Sequence, residues 1–443
     1  VDTGADASHE DFGGRLDVID MVNEGPEDWY GHGTHVAGIS LSGNAGFFGM
    51  AKAALGTMFK VFSRDQDASD GDIMGSAVIA LKKGCDVISL SFGVRSAENL
   101  AEFLSQLTHQ KNSAGDYPII SASAGNSGPF DQSVSDPAGG ADVLAVAAAA
   151  KSLDDGRPEI ASYSSVGPVI GRRFAIKRFR LKPDITGIGG IDKYGVYSAK
   201  SKDAPRSASD LEDDRHTGKS GTSMSNPAVA GVALLVKLAM KAAGVITPFV
   251  AENLPFAVKA VLMRSSKDLG VPVWFQGAGL VDAGAAVKLV TAAAGRELGS
   301  RLKSLFSPLP APAEGWGWLE RLKAVTDAED RVFREAETVK RFNEAREASV
   351  PALIQALKDP VWLVRLRAAF VLMNFRAPSS VMALAEAALG DREPRVRQMA
   401  FLALAEIPTH VVDVLLKTAT KDSRWDVGAY AAYVLARRGD RGG

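Results

Sequence analysis

Three polar side chains stand on glycine-flanked turns. They are Asp2 in Val1-Asp2-Thr3-Gly4, His32 in His32-Gly33-Thr34-His35-Val36-Ala37-Gly38, and Ser223 in Gly221-Thr222-Ser223-Met224-Ser225. A serine hydroxyl is a weak nucleophile until a base takes its proton. A histidine can do so near neutral pH. A carboxylate on the far side of the ring fixes its tautomer and stabilises the imidazolium that forms. Together the three side chains supply the parts of an acyl-transfer site. The residues after Ser223 place it further. Pro227 belongs in the first turn of a helix, where its missing N–H would be unpaired anyway. The run Ala228–Leu235 is apolar all round, as in a buried helix. Ser223 is therefore predicted at the mouth of a buried helix, facing free N–H groups and the positive end of the helix dipole. The same place also suits an ordinary helix cap.

Other readings of these motifs are weaker. Asp-Thr-Gly also opens the aspartic-peptidase signature, but that chemistry needs two carboxylates sharing a proton, and the chain has no second such motif. His32 and His35 lack a third metal ligand at convincing spacing. The Gly-x-Ser-x-Gly elbow is not met, because position 225 is Ser. Ser225 is expected to bond locally.

Positioning these side chains requires a framework. Strand-like runs at Met58–Phe62, Asp86–Phe92, Pro118–Ser123 and Asp142–Ala148 alternate with helical runs such as Ile73–Lys83 and Ala97–Gln110. That alternation predicts an α/β fold with a parallel sheet and crossover helices. Near residue 300 the texture changes. Three prolines in Pro308–Pro312, then glycines and tryptophans, mark a boundary, and Glu320–Ala348 reads as a charged helical segment. Beyond Val350, Asp359, Asp391 and Asp422 recur at intervals of 32 and 31 residues. After each comes Val364, Val396 or Val427, then Ala368, Ala400 or Ala431, then Leu372, Leu404 or Leu435, all on one helical face. Each Asp is expected to cap the helix it precedes. Such helical pairs must stack as an all-α solenoid to bury their faces, and the tail resembles HEAT repeats. The expected division is 1–297, 298–347 and 348–443.

The ordered set of Asp-Thr-Gly, His-Gly-Thr-His-Val-Ala-Gly and Ser-Gly-Thr-Ser-Met-Ser-Asn-Pro resembles the three signatures of the subtilases, the subtilisin-like serine peptidases; this Asp, His, Ser order is the known order of subtilisin itself. The segments His9–Leu16, Ser123–Pro129, Ser162–Pro168, Leu181–Ile185 and Gln276–Val287 agree, so the resemblance covers roughly residues 1–290. It implies an Asp2/His32/Ser223 triad in a subtilisin-like parallel sheet, acting as a serine endopeptidase through an acyl-enzyme. It also implies Asn126 as oxyanion donor together with the Ser223 N–H, and His9 and His35 as structural neighbours. The substrate-binding strand would be Ser91-Phe92-Gly93, opposed by Ser123-Ala124-Gly125, with Phe92 on a pocket wall and a preference for apolar side chains. Taken alone, Phe92 reads as a core aromatic and Asn126 as a turn former. In the family the acid closes a central strand, of which only Val1 lies in this chain. Where relatives have Ala-Pro-Gly after Leu-Lys-Pro-Asp-Ile, this chain has Thr186-Gly187-Ile188-Gly189.

The 443 residues, 46% apolar and 23% charged with a net charge of −1, suit a globular protein and argue against a general nucleic-acid binder. No uninterrupted apolar run approaches a membrane span. The first residues do not read as a signal peptide and do not begin with Met, although relatives are mostly secreted. Cys85, the single cysteine, is expected as a buried small hydrophobe. No cofactor or metal site is expected, although relatives often bind calcium; the acidic loop Asp65–Asp72 departs from the EF-hand pattern and reads as solvated. The basic run Arg172–Lys182 is expected as a solvated strand or loop, and Lys200–His216 as a mobile polar stretch. The expected partner is a polypeptide substrate, with a protein partner for the repeats. The alternative is an inert peptidase fold whose repeats bind a partner. An esterase would share the chemistry.

Overall fold

The computed structural model describes residues 1–94, 98–152, 155–173, 176–191, 195–211, 213–293, 316–335 and 339–439. The boundary expected near residue 297 and the proline cluster lie outside them. The chain forms two compact units, one of residues 1–169 and 180–312, the other of 170–179 and 313–443.

The first unit runs β1 (Leu16–Asp20), α1 (His32–Leu41), β2 (Gly56–Lys60), α2 (Asp70–Lys82), β3 (Val87–Leu90), α3 (Glu98–Leu107), β4 (Ile119–Ser123), β5 (Leu144–Lys151) and β6 (Pro158–Ile160). After the hairpin β7 (Val169–Arg173) and β8 (Ile176–Arg180) come β9 (Ile185–Ile188), β10 (Val196–Ala199) and β11 (His216–Lys219). The helices α4 (Thr222–Ala242), α5 (Pro248–Glu252), α6 (Leu254–Ser265), α7 (Val273–Gln276) and α8 (Ala283–Ala293) close the unit.

The alternation of strands and helices gives the parallel sheet that the sequence predicts. β5 pairs in parallel with β4 on one edge and β9 on the other, and β4 pairs in parallel with β3. Leu144–Ala150 are all buried, as a strand covered on both faces requires. β1 and β2 form a separate parallel pair. Residues 1 and 2 lie alongside these strands: Asp2 N–H donates to the Phe59 carbonyl (2.9 Å), Val61 N–H to the Asp2 carbonyl (3.0 Å), and the Val1 nitrogen to the Ser89 carbonyl (3.0 Å). Asp2 is thus held between β2 and β3.

Helix α4 packs on β3, β4, β5 and β9. It is long and apolar enough to cross a membrane by length and composition, but 67% of its apolar window is buried in the protein. Pro227 lies inside this helix rather than in its first turn, because the helix already begins at Thr222. The described residues between Lys200 and His216 carry ion pairs. Lys200 Nζ lies 3.0 Å from Asp210 and 2.6 Å from Asp214, and Lys202 Nζ 3.2 Å from Asp6. Cys85 is half-buried at the margin of the core.

The second unit contains α9 (Gly317–Glu335), α10 (Val339–Ala356), α11 (Trp362–Phe375), α12 (Val381–Gly390), α13 (Pro394–Glu406), α14 (His410–Ala419) and α15 (Trp425–Gly439). The repeated Val and Ala positions are buried in all three copies, and Leu372 and Leu404 likewise. Leu435, in the last copy, is half-buried. The repeated aspartates do not cap these helices. Asp359, Asp391 and Asp422 accept the N–H two residues on, from Val361 (2.8 Å), Glu393 (2.9 Å) and Arg424 (2.9 Å). Two of them also join a ladder of arginines. Arg365 grips Asp391 through two bonds (2.7 and 2.8 Å) and the Asp359 carbonyl through a third (2.8 Å). Arg397 bonds the Asp391 carbonyl (2.7 Å) and Asp426. A carboxylate that serves an arginine from the neighbouring copy is turned away from its own helix.

The basic run also departs from expectation. Its segment 170–179 belongs to the second unit rather than to solvent. Phe179 is buried, and its backbone N–H and carbonyl both bond the Asn374 amide (2.8 and 2.9 Å), while Arg178 pairs with Glu329 (3.2 Å) and Asp330.

Candidate active site

Helices α1 and α4 begin the site. Val36 and Ile39 of α1 share an apolar cluster with Met224 of α4, and the Ser40 hydroxyl donates to the Pro227 carbonyl (3.0 Å). The Val1 nitrogen donates to the Ser89 carbonyl (3.0 Å) and the Ser223 hydroxyl to the Ser91 carbonyl (2.7 Å), so the residue before Asp2 and the start of α4 both meet the chain at the end of β3. His32 is the first residue of α1 and Ser223 the second of α4.

His32 Nδ1 lies 2.7 Å from Asp2 Oδ1, with the Asp2 side chain 1% exposed and His32 19%. A carboxylate oxygen accepts, so Nδ1 carries the hydrogen and Nε2 is left bare, a tautomer assigned from this partner. Burial disfavours the imidazolium of His32, but the charge and hydrogen bond of Asp2 outweigh it and raise the pKa above its ordinary value. Burial likewise favours protonated Asp2, and the His32 partnership overcomes this and lowers its pKa. Asp2 Oδ1 also accepts Thr3 N–H (2.8 Å), whereas Oδ2 is buried without a partner.

The Ser223 hydroxyl donates to the Ser91 carbonyl (2.7 Å) and makes no hydrogen bond to His32. The structure therefore joins Asp2 to His32 and leaves Ser223 turned toward the expected substrate strand. The Ser225 hydroxyl bonds the Thr222 carbonyl (2.9 Å), locally as expected.

Asn126 lies beside this turn. Its Oδ1 accepts both the N–H and the hydroxyl of Thr222 (2.9 Å each), which orients its amide nitrogen away from Thr222. Gly221 has φ of 152°, and a Cβ there would meet Asn126 Nδ2 at 3.2 Å. The backbone conformation thus favours glycine, and a larger residue would crowd the amide. Gly221 N–H donates to the Gly189 carbonyl (2.9 Å), so the divergent Thr186–Gly189 segment still supports the turn.

The two expected substrate walls converge on a residue that the sequence did not mark. A Cβ on Gly93 would approach Ser135 Oγ to 2.1 Å, and one on Gly125 to 2.6 Å. Ser135 therefore sits between the walls. The Ser123 hydroxyl donates to the Phe92 carbonyl (3.1 Å), tying one wall to the other, and Ala124 is fully buried. The Phe92 ring packs edge-on against Phe62 (5.2 Å), at the margin of the core.

Asp28 is a second residue found only through the structure. Its Oδ1 accepts the Thr3 hydroxyl (2.7 Å) and Gly31 N–H (2.8 Å), and its Oδ2 accepts the N–H (2.8 Å) and hydroxyl (2.7 Å) of Thr34. One buried carboxylate thus binds the neighbour of Asp2 to the first turn of α1; burial raises its pKa despite these donors. His35 Nε2 faces the carbonyls of Val196 (2.9 Å) and Thr217 (3.1 Å). Burial first, then the charges of Lys219 and His32, lower its pKa to about 3, so it stays neutral. Lys219 lies over the Tyr30 ring (5.6 Å to its centre) and opposes the imidazolium of His32.

A subtilase-family model matches residues 1–281 and a HEAT-repeat model residues 350–438. The chain belongs to the subtilase family, with HEAT repeats in its C-terminal part. It is 30% identical over 259 residues to the serine protease AprX of Bacillus subtilis (strain 168), covering 53% of this chain and 55% of that protein. It is 29% identical over 243 residues to a thermophilic serine proteinase of Bacillus sp. (strain AK1), covering 53% and 50%. The chain thus spans about half the length of these curated relatives. Among solved structures, it is similar to Sphericase, with a TM-score of 0.45 and 23% identity over 63% of this chain and 88% of that one.

Proposed function

We propose that this protein is a serine endopeptidase that cleaves peptide bonds through an acyl-enzyme. The observation that carries the reading is the 2.7 Å bond from His32 Nδ1 to buried Asp2, which leaves Nε2 without a hydrogen and able to act as a base. A peptide strand laid along Ser91–Gly93 gives its own N–H to the Ser91 carbonyl and releases the Ser223 hydroxyl. The hydroxyl proton passes to His32 Nε2 as Ser223 Oγ bonds the scissile carbonyl carbon. Its oxygen gathers negative charge against Asn126 Nδ2 and the Ser223 N–H, an orphan donor of the first helical turn. His32 then protonates the leaving amine as the C–N bond breaks. Water, deprotonated by His32, attacks the acyl-serine and frees the acid product and Ser223. The repeats are proposed to dock a polypeptide partner, for which the exposed Trp425 and Met382 offer apolar anchors.

The test is labelling of the folded full chain with a fluorophosphonate, alongside hydrolysis of a peptide and an ester. Labelling with peptide turnover, both lost in Ser223→Ala, supports the endopeptidase. Turnover is expected to fall roughly 10⁶-fold in that variant, the loss known for subtilisin, of this same family. A folded chain that takes no label is an inert scaffold, and ester turnover alone identifies an esterase.

A further inference from the structure

A second histidine–carboxylate cluster lies in the first unit, away from Asp2 and His32. It joins the turn at residues 9–11 to His216, the first residue of β11. The side chains of His9 and Asp11 are 0% exposed and that of His216 is 4% exposed. Asp11 Oδ2 lies 3.2 Å from His216 Nε2, and Asp11 Oδ1 lies 3.7 Å from His9 Nδ1. All three ligand atoms fall within 4.8 Å of one another. A tetrahedral ion with bonds of about 2.0–2.1 Å sets its ligand atoms roughly 3.4 Å apart. Taken from the single oxygen Oδ1, the separations are 3.4 Å to His216 Nε2 and 3.7 Å to His9 Nδ1, at and slightly above that value.

The outer hydrogen bonds orient both rings toward a shared centre. His9 Nε2 donates to the Arg215 carbonyl (2.8 Å), so Nδ1 carries no hydrogen and its lone pair faces Asp11. His216 Nδ1 donates to Asp213 Oδ2 (2.6 Å), which leaves Nε2 bare. Metal-binding histidines characteristically hold their second N–H in this way, on a backbone carbonyl or a carboxylate. Asp11 is also supported from outside, by the Ser42 hydroxyl (2.9 Å) and the Asn44 amide (3.0 Å). With Nδ1 engaged, His216 presents Nε2 to Asp11 Oδ2 (3.2 Å), an arrangement that either a metal ion or a proton between them satisfies. The one inward competitor is Asp11 N–H on His9 Nδ1, at a long 3.2 Å. Phe47 stacks on His216 with ring centres 4.4 Å apart and covers the cluster on that side.

We propose that His9, Asp11 and His216 bind a divalent transition ion, zinc foremost. Two imidazole nitrogens and one carboxylate suit zinc, whereas calcium requires a shell of oxygens. The bound ion ties the turn that follows Asp2 to the strand that leads into Ser223, and so braces two arms of the candidate active site. Binding does not depend on the peptidase reading.

The experiment uses the full chain carrying Ser223→Ala, stripped with a chelator, then titrated with zinc chloride by calorimetry and with cobalt(II) by visible absorption. One equivalent of zinc, a tetrahedral cobalt spectrum and a higher thermal midpoint are expected. Asp213→Asn, which removes the charge of the outer support, is expected to weaken zinc about 10- to 100-fold. His216→Gln is expected to abolish the cobalt spectrum, while His109→Ala, at an exposed pair with Asp142, leaves binding intact. No saturable zinc, or unchanged affinity in both His216→Gln and Asp213→Asn, overturns the proposal and leaves the cluster bridged by a proton.

Discussion

At the scale of single residues, the site is a balance of charges around His32. Burial and Lys219 favour the neutral ring, and Asp2 favours the imidazolium; Asp2 prevails. A base must be neutral to take the serine proton, so kcat/KM is expected to rise with pH through a pKa above 6.5. Lys219→Met removes a positive charge that opposes protonation, so that limb moves to higher pH. A pH–rate profile measures both, and a limb moving down would contradict the charge balance. Ser135 sets a steric limit in the same site. Its hydroxyl lies between Gly93 and Gly125, so Ser135→Gly is expected to improve cleavage after large side chains relative to small ones, read as a ratio of kcat/KM across a peptide series. The sequence displayed Asp2, His32, Asn126 and Ser223 because each lies in a short local motif. It concealed Ser135 and Asp28, whose meaning comes from residues that only folding brings near.

At the scale of elements, the site depends on how helices begin. Gly221 lets α4 start at Thr222, and Asp28 holds the start of α1. Asp28→Ala leaves two backbone N–H groups and two hydroxyls without their acceptor. It is expected to destabilise the protein by about 2–4 kcal/mol, seen as a lower denaturant midpoint. The turnover number should fall with it, because the His32 end of α1 loosens from Thr3; an unchanged kcat would limit Asp28 to stability. Strands β3, β4 and β5 of the central sheet were legible because they form short apolar runs, whereas β6 and β9 were not, being short and, in β9, interrupted by Thr186 and Gly187. The start of α4 was not, since Pro227 suggested a later first turn. Nor was the role of the repeated aspartates, because an acid before a helix looks the same whether it caps that helix or serves an arginine from another copy.

At the scale of the whole molecule, that arginine ladder holds the repeats in register. Arg365 and Asp391 are each 6% exposed at the side chain and joined by two bonds. Arg365→Met strands a buried carboxylate and is expected to cost about 3–5 kcal/mol in the helical unit. Arg365→Met combined with Asp391→Leu should recover most of that loss, because it removes the unpaired charge as well. Chemical denaturation of the full chain distinguishes the cases; equal losses in single and double variants would show that the pair's charge is not what matters.

The hairpin strand that bonds Asn374 gives the second unit a split origin in the gene. Removing the C-terminal helices would take Asn374 from Phe179 and Glu329 and Asp330 from Arg178. On the ribosome, that hairpin emerges some two hundred residues before the helix that receives it. A segment translated early thus waits for a helix made much later before its backbone bonds are complete.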